Sequence, residues 1–222
     1  MSDFLFARVP SKVAMKLVCG PMFAGKTSRL ITEHLSLSSV PHALFSPAFD
    51  TRYEAGVIRS HTGSEISGVI PISGDDILLH HLRVISAQYQ AYRAERLHIH
   101  EHPVLGCLNI FIDEIQFFDI QYNGTFLDTL KEWAKTFNKE TSIPVVLKFF
   151  GLDMDTDRRV WPLIRALSEE DAEVEYIKAR CTVCGSPASY TIRTDGAPAK
   201  HQVGGASLYE PRCEHHLPMG LR

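Results

Sequence analysis

"CGPMFAGKTSRLI", residues 19–31, decides how the rest of the chain is read. Gly20 is followed by four residues and then by Gly25-Lys26-Thr27, the spacing of a phosphate-binding loop. Glycines at these two places let the backbone curl so that successive N–H groups converge on an anion. The preceding "AMKLVC" (14–19) reads as a short buried strand. The following "KTSRLITEHLSL" sets Leu30, Ile31, His34 and Leu35 at helical spacing. Strand, glycine loop and helix form the context this motif requires, and the helix start adds the positive end of its dipole. The whole run Gly20, Pro21, Met22, Phe23, Ala24, Gly25, Lys26 and Thr27 is therefore the expected ATP site. Lys26 would reach the β- and γ-phosphates, and the Thr27 hydroxyl would ligate Mg²⁺.

The second acidic element is "LNIFIDE" (108–114), an apolar run ending in Asp113 and Glu114. A buried parallel strand has this composition, and open parallel sheets bind ligands at the carboxyl ends of their strands. Asp113 suits the acid that holds Mg²⁺, and Glu114 suits a base that takes a proton from water or a hydroxyl. Other strand candidates are 41–47, 68–72 and 143–153, with a polar loop and short edge strand over 49–63. Residues 75–97 predict one helix or two, opened by an Asp cap, and 125–139 predict another. Alternating strands and helices argue a doubly wound α/β sheet. Residues 1–172 would form this domain and 173–222 a small second lobe, where glycine turns and short β-like runs replace the pattern.

Composition narrows the class further. The 222 residues are 45% hydrophobic and 22% charged, values of an ordinary globular protein with room for a real core. The formal net charge is −3, and no basic block appears, so direct nucleic-acid binding is not expected. No apolar run reaches the length of a membrane span, and the N-terminal stretch, with Asp3, Arg8 and Lys12, makes a poor secretory signal. A cytoplasmic protein is expected.

Five cysteines are present, an odd number that argues against a pure disulfide framework. Cys19 and Cys107 sit in apolar runs and read as buried core thiols. Cys181-x-x-Cys184 and Cys213-x-x-His216 are two ligand pairs that can complete a tetrahedral zinc site. C-x-x-H spacing favours His216 over His215 as the fourth ligand. With four protein ligands and no open position, such a zinc would be structural and would hold a lobe too small for its own core. His80, His81, His98, His100 and His102 read as solvated surface.

Taken as a set and in order, "GPMFAGKT", "PAFDTRYEAGVIRSHTG", "FIDEIQFF", "GLDMD", "CTVCGSPASYTIR" and "VGGASLYEPRCEHH" resemble the zinc-containing, cytosolic (type II) thymidine kinases over residues 16–216. The resemblance implies a RecA-like α/β domain plus a zinc lobe whose long loop, here 194–208, closes over the nucleoside. It implies Glu114 as general base for the 5′-hydroxyl. Asp50, Arg52 and Gln116 would join Asp113 around ATP and the metal. Phe117 would wall the base pocket, and Thr191, Gly204 and Tyr209 would lie around the thymine and sugar. It also implies thymidine and ATP as substrates, a homotetramer or dimer, and feedback inhibition by a triphosphate end product.

Three positions depart from the family pattern. Ile115 stands where a small residue is usual and is expected to crowd the catalytic region. Thr156 stands where an aromatic is usual, so one wall of the base pocket is lost or supplied elsewhere. Gln202 replaces an apolar lid residue. Two rival readings follow: a zinc-bearing phosphate-loop ATPase with Glu114 activating water, and a degenerate nucleotide-binding protein with no activity.

Overall fold

The computed structural model describes residues 13–37, 42–50, 54, 56–96, 107–118, 124–195 and 208–219. Arg52, Gly204, Gln202, His98, His100, His102 and most of the 194–208 loop lie outside them.

β1 (Ala14–Cys19) runs into the glycine loop and then α1 (Lys26–Leu35). β2 (His42–Pro47) follows, then an antiparallel hairpin of β3 (Val57–Arg59) and β4 (Glu65–Ser67), then β5 (Ile70–Ile72). The single helix α2 (Asp75–Arg96) leads to β6 (Leu108–Ile112). Asp75 lies inside its first turn with Asp76, where carboxylates complement the helix dipole, rather than capping it from outside. After β6 come α3 (Phe126–Thr141), β7 (Val145–Gly151), α4 (Pro162–Glu169) and β8 (Glu173–Tyr176).

Six strands form one sheet in the order β5-β2-β6-β7-β1-β8, and every pairing is parallel. β8 thus completes the sheet against β1, a few residues past the division expected at 172. The hairpin β3–β4 stands apart from the sheet, where an edge strand was expected.

Alternation along the strands builds a core on each face. Leu17, Cys19, Phe45, Ile110, Ile112 and Phe149 face one side and pack with the buried residues of α2, α3 and α4. Val18, Leu44, Phe111 and Phe150 face the other and pack with Leu30 and Ile31 of α1 and with Ile58 and Ile66 of the hairpin. Cys19 is fully buried, and burial pushes its thiol up to about 12. Cys107 is only half-buried, because it precedes β6 instead of lying within it.

Beyond Ile177 the chain forms two small antiparallel pairs. β9 (Ala179–Arg180) pairs with β10 (Pro187–Ala188), and β11 (Tyr190–Arg193) with β12 (Tyr209–Arg212). Among the described residues their buried apolar cluster is Ala179, Cys181, Ala188 and Cys213, with Phe23 and Ala24 of the phosphate loop packed against it, and Ile192, Tyr209 and Leu217 are buried as well.

Candidate active site

The two loop glycines serve different needs. Gly25 has φ +90, a left-handed conformation that turns the chain into α1. Gly20 is needed for close approach: a Cβ there would sit 2.1 Å from the carbonyl oxygen of Ile177, just past β8. Lys26 lies almost wholly inside the loop and donates to the carbonyls of Gly20 (3.0 Å) and Pro21 (2.7 Å). Burial pushes its ammonium pKa down, while Glu114, Asp153 and Asp113 pull it back up. An ammonium ringed by three carboxylates and held by weak acceptors is poised to exchange those carbonyls for a phosphate.

β6 delivers the acidic pair. Asp113 is buried (5% exposed) and its N–H donates to the Phe45 carbonyl of β2 at 2.9 Å. Glu114 turns sharply away with φ +50 and ψ +44, and starts a 3-10 turn, Ile115–Phe117. This left-handed turn at a non-glycine residue swings the carboxylate over the strand ends. β7 lies between β6 and β1, so Glu114 faces the phosphate loop across the end of one strand. Gln116 was expected at ATP or the metal. It is fully buried instead, outside the cavity lining, with one amide end on Glu114 and the other on the backbone of Leu152.

Ile115 does not crowd the site. It points into the core among fully buried residues, in space left by Gly151, where a Cβ would lie 2.6 Å from its Cγ2. The missing side chain on β7 compensates for the larger residue on the turn.

A cavity of about 240 Å³ opens over these groups. Lys26, Thr27, Asp50, Asp113 and Glu114 line it, as do Phe117, Thr191 and Tyr209. Of the loop, Met22, Phe23 and Gly25 also reach it, while Gly20, Pro21 and Ala24 shape it from behind. Thr156 lines it as well, and the apolar surface comes from Leu152, Met154, Phe117 and Trp161. Trp161 packs edge-to-face on Phe117 with ring centroids 6.0 Å apart, and Phe49 does the same from the other side at 5.3 Å. Trp161 and Asp153 were missed in the sequence. Asp153 is buried beside Lys26 and Cys19, and burial raises its carboxyl pKa. The only sequence signal for either was nearness to the end of β7.

The small lobe reaches into the same place. Met22 of the phosphate loop donates its N–H to the Thr191 hydroxyl at 2.9 Å. Arg193 lies over the Tyr209 ring. Below them the candidate ligand atoms of Cys181, Cys184, Cys213 and His216 all lie within 4.8 Å of one another. Cys184 and Cys213 sulfurs are 3.7 Å apart, and His216 Nδ1 lies 3.2 Å from Cys213 and 3.7 Å from Cys181. Ligands about 2.0–2.3 Å from a tetrahedral zinc stand at roughly these separations, so the residues fit the metal. Burial opposes ionisation of the Cys181 thiol, but backbone N–H groups of Cys213, Cys184 and Val183 outweigh it and bring its pKa down to about 6. His215 is left outside the cluster.

A phosphate loop and two strand-end carboxylates on one cavity define a phosphate-loop nucleotide enzyme, here with a metal-ligand lobe closing one side. The thymidine kinase family model matches residues 13–217. The chain is 32% identical over 213 residues to the thymidine kinase of Thermococcus kodakarensis, covering 91% of this chain and 93% of that protein. The chain belongs to the thymidine kinase family.

Proposed function

We propose that this protein transfers the γ-phosphate of ATP to the 5′-hydroxyl of thymidine. The observation that carries the reading is the position of Glu114, turned into the same cavity as Lys26, Thr27 and an apolar aromatic wall. The triphosphate lies along the loop from Gly20 to Thr27, with Lys26 balancing the charge that grows on the transferred group. Thr27, Asp113 and Asp50 would hold a magnesium ion, which would supply positive charge against the triphosphate. The family resemblance supports Arg52 as a further cation for the phosphates. The base lies against Phe117, Leu152 and Trp161, with Thr191 and Tyr209 toward the sugar. The resemblance also supports Gly204 and the 194–208 loop as the segment that excludes water.

Glu114 accepts the 5′-hydroxyl proton as that oxygen bonds to the γ-phosphorus. The bond from the γ-phosphorus to the β-bridging oxygen breaks, and ADP leaves. A zinc ion held by Cys181, Cys184, Cys213 and His216 would be structural, since four protein ligands would leave no open position. The family resemblance supports a homotetramer or dimer in the cytoplasm. No helix among the described residues is long and apolar enough to cross a membrane.

ATP turnover measured without nucleoside and then with thymidine, deoxyuridine, deoxycytidine and purine deoxynucleosides tests the reading. Thymidine 5′-monophosphate formed one-for-one with ADP is expected, with little ATP loss when no nucleoside is present. Equal ATP turnover without any nucleoside would establish the ATPase rival instead.

A further inference from the structure

Gln116 has no place in the chemistry above, yet its side chain is fully buried and fully used. Its Nε2 donates to Glu114 Oε2 at 2.6 Å, and its Oε1 accepts from the backbone N–H of Leu152 at 2.9 Å. The orientation of the amide is fixed by its partners. The Leu152 N–H is a donor and requires the oxygen, so the NH₂ end must face the carboxylate. A half-buried carboxylate oxygen with a charge-assisted bond at this length is held firmly.

The neighbourhood is built around this bridge. A Cβ on Gly151 would lie 2.4 Å from Gln116 Oε1, so glycine at the last position of β7 is what lets the amide reach Leu152. Glu114 itself is in a left-handed conformation, and its carbonyl accepts from the Phe117 N–H at 3.0 Å. Backbone geometry aims this side chain, and the Gln116 amide holds one of its carboxylate oxygens. We infer that Gln116 is a positioning residue that fixes the Glu114 carboxylate against the end of β7, the strand lying between it and the phosphate loop. The role rests on the reading of Glu114 as the proton acceptor. Gln116 touches neither substrate nor metal. Its effect falls on the rate of proton removal, because a general base must be held within hydrogen-bond reach of its hydroxyl.

The test is steady-state kinetics of Gln116→Met and Gln116→Glu, each also placed in a Glu114→Gln background. Methionine keeps the length but makes neither bond. Glutamate keeps an acceptor for Leu152 and sets a second carboxyl group against Glu114. Both single variants should lose at least about tenfold in kcat, with KM for thymidine and ATP changed less than about threefold. Thymidine and ATP should still raise the melting temperature of each, which confirms a folded site. In the Glu114→Gln background, with residual rates read by radiolabelled thymidine, Gln116→Met should cost less than about threefold more, since residues acting as a unit are not additive. The same loss in both backgrounds, or a rise in KM with kcat unchanged, would overturn the positioning role and leave Glu114 as base. A Glu114→Gln enzyme that keeps full activity would instead overturn the base itself, and this inference with it.

Discussion

The sheet domain and the small lobe meet at one cavity but are held together by different physics. In the sheet domain, buried side chains on both faces of the central strands β2, β6, β7 and β1 exclude water. In the lobe, four small buried residues make up the cluster, and two of them, Cys181 and Cys213, are candidate metal ligands. One region is stabilised by apolar burial, and the other is built around a group of side chains that could hold a metal ion. The lobe also supplies a buried cushion for Phe23 and Ala24 and an acceptor for Met22, so the weaker region supports the phosphate loop of the stronger one.

Metal removal should break this contrast most severely. Structural zinc contributes about 10–16 kcal/mol in small zinc-dependent folds, a large share of what would hold a lobe whose other buried apolar residues are Ala179, Ala188, Ile192, Tyr209 and Leu217. Chelation, or Cys184→Ser, should therefore collapse amide-exchange protection across β9 to β12 and leave β1, β6 and β7 protected. Equal loss in both regions would mean that the sheet depends on the metal too. A smaller effect is expected on the other side of the comparison. Phe118→Ala, in the sheet core, should cost about 3–5 kcal/mol in denaturant unfolding, because its cavity cannot refill. Val183→Ser, on the exposed turn between two ligands, should stay within about 0.5 kcal/mol.

The seam between the regions should respond next. Thr191→Val keeps the shape but leaves the Met22 N–H without its acceptor, at a cost of about 1–3 kcal/mol. Differential scanning calorimetry of the zinc-loaded protein reads this directly. A further, pH-dependent effect is expected at the far end of α1. Burial, with His42 beside it, holds the His34 pKa down to about 4, against about 6.5 for a free histidine. The unfolded chain therefore takes up the proton first. Stability from neutral His34 is full above pH 6.5 and drains away as the pH falls toward 4. Discounted for its partial exposure, the loss is about 1–2 kcal/mol. The urea midpoint of wild type should fall more between pH 7 and pH 4.5 than that of His34→Gln.

Much of this was legible in the sequence, for local reasons. "LNIFID" reads as a buried strand because both of its faces are covered, so its positions are apolar apart from Asn109 and the terminal Asp113. The zinc ligands are legible because each pair spans one tight turn, and the geometry settles His216 over His215. The edge strand β8, "EVEY", is half polar and was read into the lobe, although its pairing with β1 puts it in the sheet. The contacts of Gln116 could not be read in the sequence for a different reason. One partner is a backbone N–H just past the end of β7, and no side-chain pattern records that. Ile115 was expected to crowd the site because the glycine that accommodates it lies 36 positions away, at Gly151. Trp161 carried no motif. It joins the cavity because the chain between β7 and α4 folds back onto Phe117.

The most direct measurement compares wild type with Glu114→Gln for thymidine 5′-monophosphate formation, alongside calorimetric binding of thymidine and of ATP. The account predicts that both ligands bind within about threefold of wild type while kcat falls by at least about a hundredfold, as loss of a general base requires. A variant that binds both ligands and still phosphorylates thymidine at the wild-type rate would contradict it.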